Sequence, residues 1–426
     1  MPARWSYSVV AVMLAGLVAQ PAAAASLQEM INAAKANDTI TPPAGTYHEH
    51  LVITKPVTLD GASGVIIDGD GKGTVVEVAT DGVTLKGLTL RNSGTLHNQI
   101  DAGLRIKGNF NVVKDVTISN SLFGIDLHQA NNNVLRRNHI SSDSLPLGLR
   151  GDSIRLWYSA NNEISSNVIS DARDFVVWYS HDNSITANKI AHSRYGVHFM
   201  YGNDNVLEAN EITDCVVGVF LMYSNEVQLR KNRILRAWGA SGMGIGLKDS
   251  SDAVIEDNDI AGNAVGISFD LSPSDPETPN IVRGNRLSFN GIGVSFVNDW
   301  EGNTLDGNMF TSNFTQVAVG GGGTALRETW KNNYWDDYSG FDNNGDGHGD
   351  APYEIYNYAD RLWMEVPPAA FFRGAPAMEM LDFVERLAPF SEPRLLVKEA
   401  DPLMETPVMA EATPAKPKSA LEMLQQ

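Results

Sequence analysis

Ile164-Ser165-Ser166-Asn167-Val168-Ile169, Ile185-Thr186-Ala187-Asn188-Lys189-Ile190, Leu207-Glu208-Ala209-Asn210-Glu211-Ile212 and Leu229-Arg230-Lys231-Asn232-Arg233-Ile234 are four writings of one phrase. In each, an aliphatic residue and two variable ones precede an asparagine, and a second aliphatic follows two places on. The asparagines fall 21, 22 and 22 residues apart. The phrase starts at Leu135-x-x-Asn138-x-Ile140 and runs on through Ile255-x-x-Asn258-x-Ile260, Val282-x-x-Asn285-x-Leu287 and Leu305-x-x-Asn308-x-Phe310. A fixed period of this length marks a solenoid, in which each repeat buries its apolar side against its neighbours. Apolar alternation by twos within the period makes the elements short strands. Leu85-x-x-Leu88 and Val113-x-x-Val116 extend the coil upstream without asparagine, and Trp330-x-x-Asn333 extends it downstream. The reading is an all-β parallel coil of about eleven turns.

Stacking puts residues from equivalent places in each turn side by side, so the repeat can be read in columns. Thirteen and eleven residues before the asparagine stand Ile125/Leu127, Ile154/Leu156, Phe175/Val177, Val197/Phe199, Val219/Leu221 and Ile245/Leu247. These are apolar in every turn and are assigned to the core, because alternate side chains leave a strand on opposite faces. The asparagines are assigned to bends, where their amides bond to backbone and ladder from turn to turn. Twelve and ten residues before the asparagine, on the outward face, stand Asp126/His128, Arg155/Trp157, Val176/Trp178, His198/Met200, Phe220/Met222 and Gly246/Lys248. A solvated face does not call for this run of bulky apolar residues, so the stripe is a candidate interaction surface. Thioether and imidazole donors suit Cu(I), which makes His198, Met200, Met222 and His128 candidate copper ligands. Arg155, Trp157, Trp178 and Phe220 form the candidate partner interface. Packing beneath a loop or partner is the plainer reading of the same residues, since methionine also serves adaptable interfaces. Tyr158, Tyr179, Tyr201 and Tyr223 make a parallel aromatic column.

Composition narrows the classes of function. With 51 acidic and 32 basic residues the net charge is −19, which argues against a nucleic-acid partner, whose phosphates require a basic footprint. Arg4, the apolar run Val9 to Val18 and the small residues Ala22 to Ala25 read as a secretory signal peptide over residues 1–25, which predicts work in a bacterial periplasm. The lone cysteine, Cys215, sits in an apolar context and is read as buried rather than reactive. Ser26-Leu27-Gln28-Glu29 has capping-box spacing, so a short helix is expected to cover the first turn of a coil spanning 26–335.

Inserts at Asn92 to Gln99, Ser141 to Gly151 and Ala237 to Gly242 all fall between an Asn-x-Ile strand and the next core strand, and so emerge along one edge. Residues 336–375 form a terminal loop and cap. Within it Asp342, Asn344, Asp346 and Asp350, with Gly347, follow the spacing of a calcium loop, although Tyr353 stands where a bidentate Glu belongs and Glu354 is one place late. Residues 376–426 hold an amphipathic segment, Ala377 to Leu387, and a Pro-, Ala- and Lys-rich tail without regular structure. His48 and His50 are a candidate metal pair, with solvated side chains as the alternative. Arg150, Asp152, Asp174 and Arg194 are read as pairing with one another.

Gly151-Asp152-Ser153-Ile154-Arg155-Leu156-Trp157-Tyr158-Ser159, Val177-Trp178-Tyr179-Ser180, Gly196-Val197-His198-Phe199-Met200-Tyr201 and Gly218-Val219-Phe220-Leu221-Met222-Tyr223-Ser224 resemble the NosD family, periplasmic maturation proteins of nitrous oxide reductase. The closing Asn333-Tyr334-Trp335-Asp336-Asp337-Tyr338 is similar as well. The resemblance covers roughly residues 26 to 370. It implies a right-handed parallel β-helix that is not an enzyme. It implies partners too: the permease and ATPase subunits of an ABC transporter, a copper-chaperone lipoprotein and nitrous oxide reductase, whose copper–sulfide centre such proteins help assemble. No ligand set is carried over by motif. The competing reading is a polysaccharide lyase or epimerase, with Trp157 and Trp178 stacking on sugar rings and Asp126 or Asp152 as acid or base. Against it, the Asp-Pro-His-Asp signature of mannuronan epimerases is absent. A surface or adhesion repeat protein would instead carry polar outward columns throughout.

Overall fold

The computed structural model describes residues 26–407 apart from 143, 359–360, 373 and 389–391. The predicted leader and the end of the tail lie outside the described residues. Each turn of the coil contributes three strands, as in Val134–Arg136, His139–Ser142 and Ile154–Trp157. The first two join a 24-stranded sheet and the third a 12-stranded sheet, with parallel pairing throughout. The passes number about thirteen, against the eleven read from the repeat. The earliest coils, such as Thr58–Asp68 and Thr84–Arg91, lack the asparagine that marks the phrase.

The marked asparagines stand at the bend between the two strands of the larger sheet. The residue before each one, for example Arg137, Ser166, Ala187, Ala209 or Lys231, has a left-handed backbone with φ of 51–56°. That conformation turns the chain and sends the asparagine side chain inward. Asn167, Asn188, Asn210, Asn232 and Asn258 are buried and each donates to the amide oxygen of the next, at 2.9–3.0 Å. The same oxygens accept the backbone N–H of the asparagine one turn earlier. Buried amides are costly unless bonded, and here both ends of each are used. Inside, Ile185, Leu207, Leu229, Phe199, Leu221 and their counterparts form one continuous core.

Both ends of the coil are closed. Ser26 and Glu29 form the reciprocal capping box at the start of helix Leu27–Ala33, whose Leu27 and Ile31 cover the first turn. At the far end Phe310, Trp335 and Tyr353 stack at 4.1 and 4.4 Å. Strand Arg394–Glu399, which the sequence reading did not anticipate, pairs antiparallel with Tyr353–Asn357. It brings buried Glu399 to the last rung, where its carboxylate accepts from the Asn333 backbone and side chain and from Trp335 Nε1.

A second acid ends a shorter ladder. Glu328 accepts from the backbone and side chain of Asn303, and burial pushes its pKa up to about 7. The folded chain thus keeps a proton that the unfolded chain gives up above about 4.5. This contribution is complete below that pH and is lost as pH rises through about 7. Between pH 5 and 8 the native protein should lose about 2.5 kcal/mol more stability than Glu328→Gln. Parallel denaturant titrations check this, and equal pH slopes would remove Glu328 as the cause.

Candidate functional site

The outer face of the 12-stranded sheet carries the stripe, and the register fixes who stands beside whom. One column runs Glu77, Arg105, Asp126, Arg155, Val176, His198, Phe220, Gly246. The other runs His128, Trp157, Trp178, Met200, Met222, Lys248, Asp270. The face changes character along its length. At its N-terminal end opposite charges alternate, with Asp126 between Arg105 at 3.0 Å and Arg155 at 2.8 Å. From Val176 onward both columns turn soft and uncharged, and Lys248 with Asp270, 3.0 Å apart, closes the far side.

The stripe is less exposed than its outward position implies. Asp126, Arg155 and Val176 are buried, while Trp157, Trp178, His198, Met200, Phe220 and Met222 are half-buried. Rungs about 4.8 Å apart leave bulky side chains lying over one another. The inserts also pack down at the strand entries. Ile100 and Leu145 join Ala102, Leu122 and Phe123 in a separate apolar cluster, and Arg105 donates to the carbonyls of Gln99 and Ile100.

His198, Met200 and Met222 hold neighbouring outward positions on two adjacent strands. Strand Tyr195–Met200 presents the first two on one face, and Met222 of Val217–Met222 is the register partner of Met200. The rings of His198, Tyr195 and Phe220 form a triangle, His198 at centroid distances of 4.8 and 5.9 Å from the other two, which stack on each other at 5.7 Å. Its Nε2 is buried and has no hydrogen-bond partner among the described residues. Burial holds its pKa below the ordinary imidazole value, which keeps the ring neutral at pH 7. A neutral imidazole with an unpartnered nitrogen, on the same sheet face as two thioethers, is a donor set that suits a soft monovalent metal. His128 does not join them. It stands three rungs from Met200, roughly 14 Å at the usual strand spacing, with Trp157 and Trp178 between. A shared column places residues on one face without placing them within ligand distance.

Sequence reading missed Met243. It belongs to a third outward column, fifteen residues before the asparagine, with Tyr195 and Val217. A Cβ at Gly246 would lie 2.5 Å from Phe220 Cδ2 and 2.6 Å from Met243 Sδ. The missing side chain is therefore what lets this ring and this sulfur lie against the sheet beside the stripe. The tyrosine column stacks as expected: Tyr158, Tyr179, Tyr201 and Tyr223 follow at 4.9, 4.9 and 5.1 Å with planes within 13°. Arg155 lies over the Trp157 ring at 4.7 Å.

The charged candidates pair. Asp174 binds Arg194 and lies 3.5 Å from Arg173, which also holds Asp152 at 2.7 Å. Burial pushes Asp152 up to about 6. Arg150 instead donates to the Leu145 carbonyl. Cys215 is buried, its thiol pushed up to about 12 by desolvation. His48 and His50 turn to separate partners, Asp70 at 2.7 Å and the Thr74 carbonyl at 2.9 Å. In the 342–350 loop Asp342 accepts from Gly345 and Gly347, and Asn344 lies 3.0 Å from Asp346 and 3.5 Å from Asp350. Tyr353 is buried on Asp337 and Glu354 is paired with Lys398, so neither supplies the loop with a bidentate carboxylate.

Fold and face together define a parallel β-helix with a soft-donor stripe on its shorter sheet. A family model described as "Periplasmic copper-binding protein (NosD)" matches residues 141–340, and one described as "Right handed beta helix region" matches residues 57–180. A Pseudomonas aeruginosa protein named probable ABC transporter binding protein NosD is 35% identical over 386 residues, covering 85% of this chain and 87% of its own. The chain belongs to the NosD family. Among solved structures, the A-module of Azotobacter vinelandii mannuronan C-5 epimerase AlgE6 is similar with a TM-score of 0.58 and 19% identity, over 72% of this chain and 92% of its own. A PL6 alginate lyase in complex with a trisaccharide gives 0.55 and 15%, over 72% and 81%. At these identities the likeness concerns the fold alone.

Proposed function

We propose that this chain is a periplasmic copper-handling factor for assembly of the copper–sulfide centre of nitrous oxide reductase. It receives Cu(I) as cargo from a copper-chaperone lipoprotein and works beside the permease and ATPase subunits of an ABC transporter. The observation that carries this reading is the unpartnered buried Nε2 of His198 on the sheet face that also carries Met200 and Met222. Membership of a family described as periplasmic copper-binding and the name of the Pseudomonas aeruginosa relative support it. The chain binds and hands over rather than catalyses: the carboxylates of Asp126 and Asp152, which a sugar-cleaving enzyme would use, are tied to Arg105, Arg155 and Arg173.

The transporter contact is assigned to helix Pro376–Leu387, which leaves Met380, Phe383 and Leu387 exposed beside exposed Phe371 and Phe372. Cutting the chain at 375 is a poor test, because it also removes the strand carrying Glu399. The better one is complementation of a deletion strain. Reductase purified without this protein should lack the copper–sulfide centre, and the full chain should restore its absorption bands. Met380→Asp with Phe383→Asp should restore little while the folded protein still accumulates. A complete centre in the deletion strain would overturn the function. Full restoration by the double variant would overturn the contact.

A further inference from the structure

The geometry points to Trp178 as the cap of the Cu(I) site, its indole face closing the side that His198, Met200 and Met222 leave open. This rests on the copper reading above and adds a residue of different chemistry to it. Trp178 is the register neighbour of Met200, as Met200 is of Met222, so ring and sulfurs occupy three successive rungs of one column.

The direction of the ring follows from its neighbours. Tyr179 and Tyr201 stack with centroids 4.9 Å apart and planes 3° apart. That separation is close to the rung spacing, so their faces look along the stack toward adjacent turns. Trp178 lies within 13° of the Tyr179 plane at 6.2 Å and shares that orientation. Trp157 meets it at 4.8 Å and 85°, edge against face. With that face taken on the side of the preceding turn, the opposite face is turned to the rung of Met200. The indole N–H does not set this pose, because Nε1 is buried with no partner among the described residues. A buried indole normally satisfies its N–H. Here stacking holds the ring instead, and the orphaned N–H is the cost of keeping the face directed along the column.

The chemistry suits the cargo. Two thioethers and one imidazole give a monovalent ion three neutral donors. An aromatic face attracts a cation through the ring quadrupole, best for tryptophan, without adding a formal charge or a fourth strong ligand. The same ring keeps water off the ion. Such a cap holds weakly, so a sulfur or nitrogen ligand from a partner can displace it and begin transfer.

The test is anaerobic Cu(I) titration of the full secreted chain against bathocuproine disulfonate, with tryptophan emission recorded. Wild type, Trp178→Phe, Trp178→Leu and Met200→Leu/Met222→Leu are compared. The chain has 8 tryptophans, so the Trp178 signal is taken as the difference between wild type and variants. Cu(I) should quench a component of the native emission that both Trp178 variants lack, and Trp178→Leu should bind roughly tenfold more weakly. Trp178→Phe keeps an aromatic filling and guards against loss of fold. Unchanged affinity and unchanged quenching in Trp178→Leu, with binding lost in the double methionine variant, would refute the cap and leave the copper site standing. Native affinity in the double methionine variant would bring down the site and the cap together.

Discussion

Replacing Met200 and Met222 together by leucine is expected to weaken Cu(I) binding by roughly a hundredfold or more, since two of three soft donors are lost while the volume is kept. Methionine-to-leucine exchanges usually cost under about 1.5 kcal/mol in a packed setting, and these two side chains are only half-buried. Folding should therefore be nearly native, and a thermal melt run beside the titration separates loss of ligand from loss of structure. Loss of affinity with a native melt supports the assignment, whereas native affinity sinks it. His198→Leu should act in the same direction, because its Nε2 has no partner to lose among the described residues. Met243→Leu distinguishes the two sulfur environments. Met243 rests beside Phe220 and Gly246, so its loss should alter packing more than affinity.

The largest expected effect on stability lies at the bend. Asn232→Ala removes an amide that donates to the Leu207 carbonyl at 2.8 Å and to Asn258 at 3.0 Å. It also removes the acceptor of the backbone and side-chain N–H groups of Asn210, at 2.9 and 3.0 Å. All of these groups are buried, and orphaned donors keep their desolvation penalty after the bond is gone. A loss of about 3–5 kcal/mol is expected, read by denaturant unfolding together with faster exchange of the Asn210 backbone N–H, which loses its acceptor. Because each rung of a solenoid leans on the next, exchange should quicken first in the adjoining turns rather than at the two caps. A change below about 1 kcal/mol would mean that the ladder accompanies the coil without holding it.

Much of the fold could be read from spacing because a solenoid repeats its physics. The period-two alternation of Phe175/Val177 or Val219/Leu221 names the core directly, and all four are buried. The asparagine bends and the tyrosine stack followed from the same ruler. What failed was distance along the axis and contact between segments far apart in sequence. His128 shares a face with Met200 but stands three rungs away, which column labels do not weigh. Met243 escaped because only two outward columns were followed, and a register shift between Asp174 and Val176 moves the third relative to them. Glu399 had no signal at all. It ends an apolar run, Leu395-Leu396-Val397-Lys398-Glu399, and its partner Asn333 lies 66 residues earlier. The proposed soft site was half legible: column spacing picks out its candidate donors, while the unpartnered nitrogen of His198 and the tilt of Trp178 belong to three dimensions.

The asparagine ladder also has a direction. Every amide from Asn138 to Asn308 points its N–H toward the later turn and its oxygen toward the earlier one. Aligned in this way, the side chains form a polar thread running from the turn of Asn138 to the last rung of the coil, with acceptors facing its tail and donors facing its head. The two ends therefore ask for opposite chemistry. At the tail a backbone N–H suffices, and Val116 provides it to Asn138 at 3.0 Å. At the head an additional amide would only pass the unmet donor one step onward. A carboxylate, which accepts and has nothing to pass on when ionised, stops the sequence. Glu399 is that full stop, and it gives the coil a defined length in a fold whose rungs could otherwise keep recruiting more of the same.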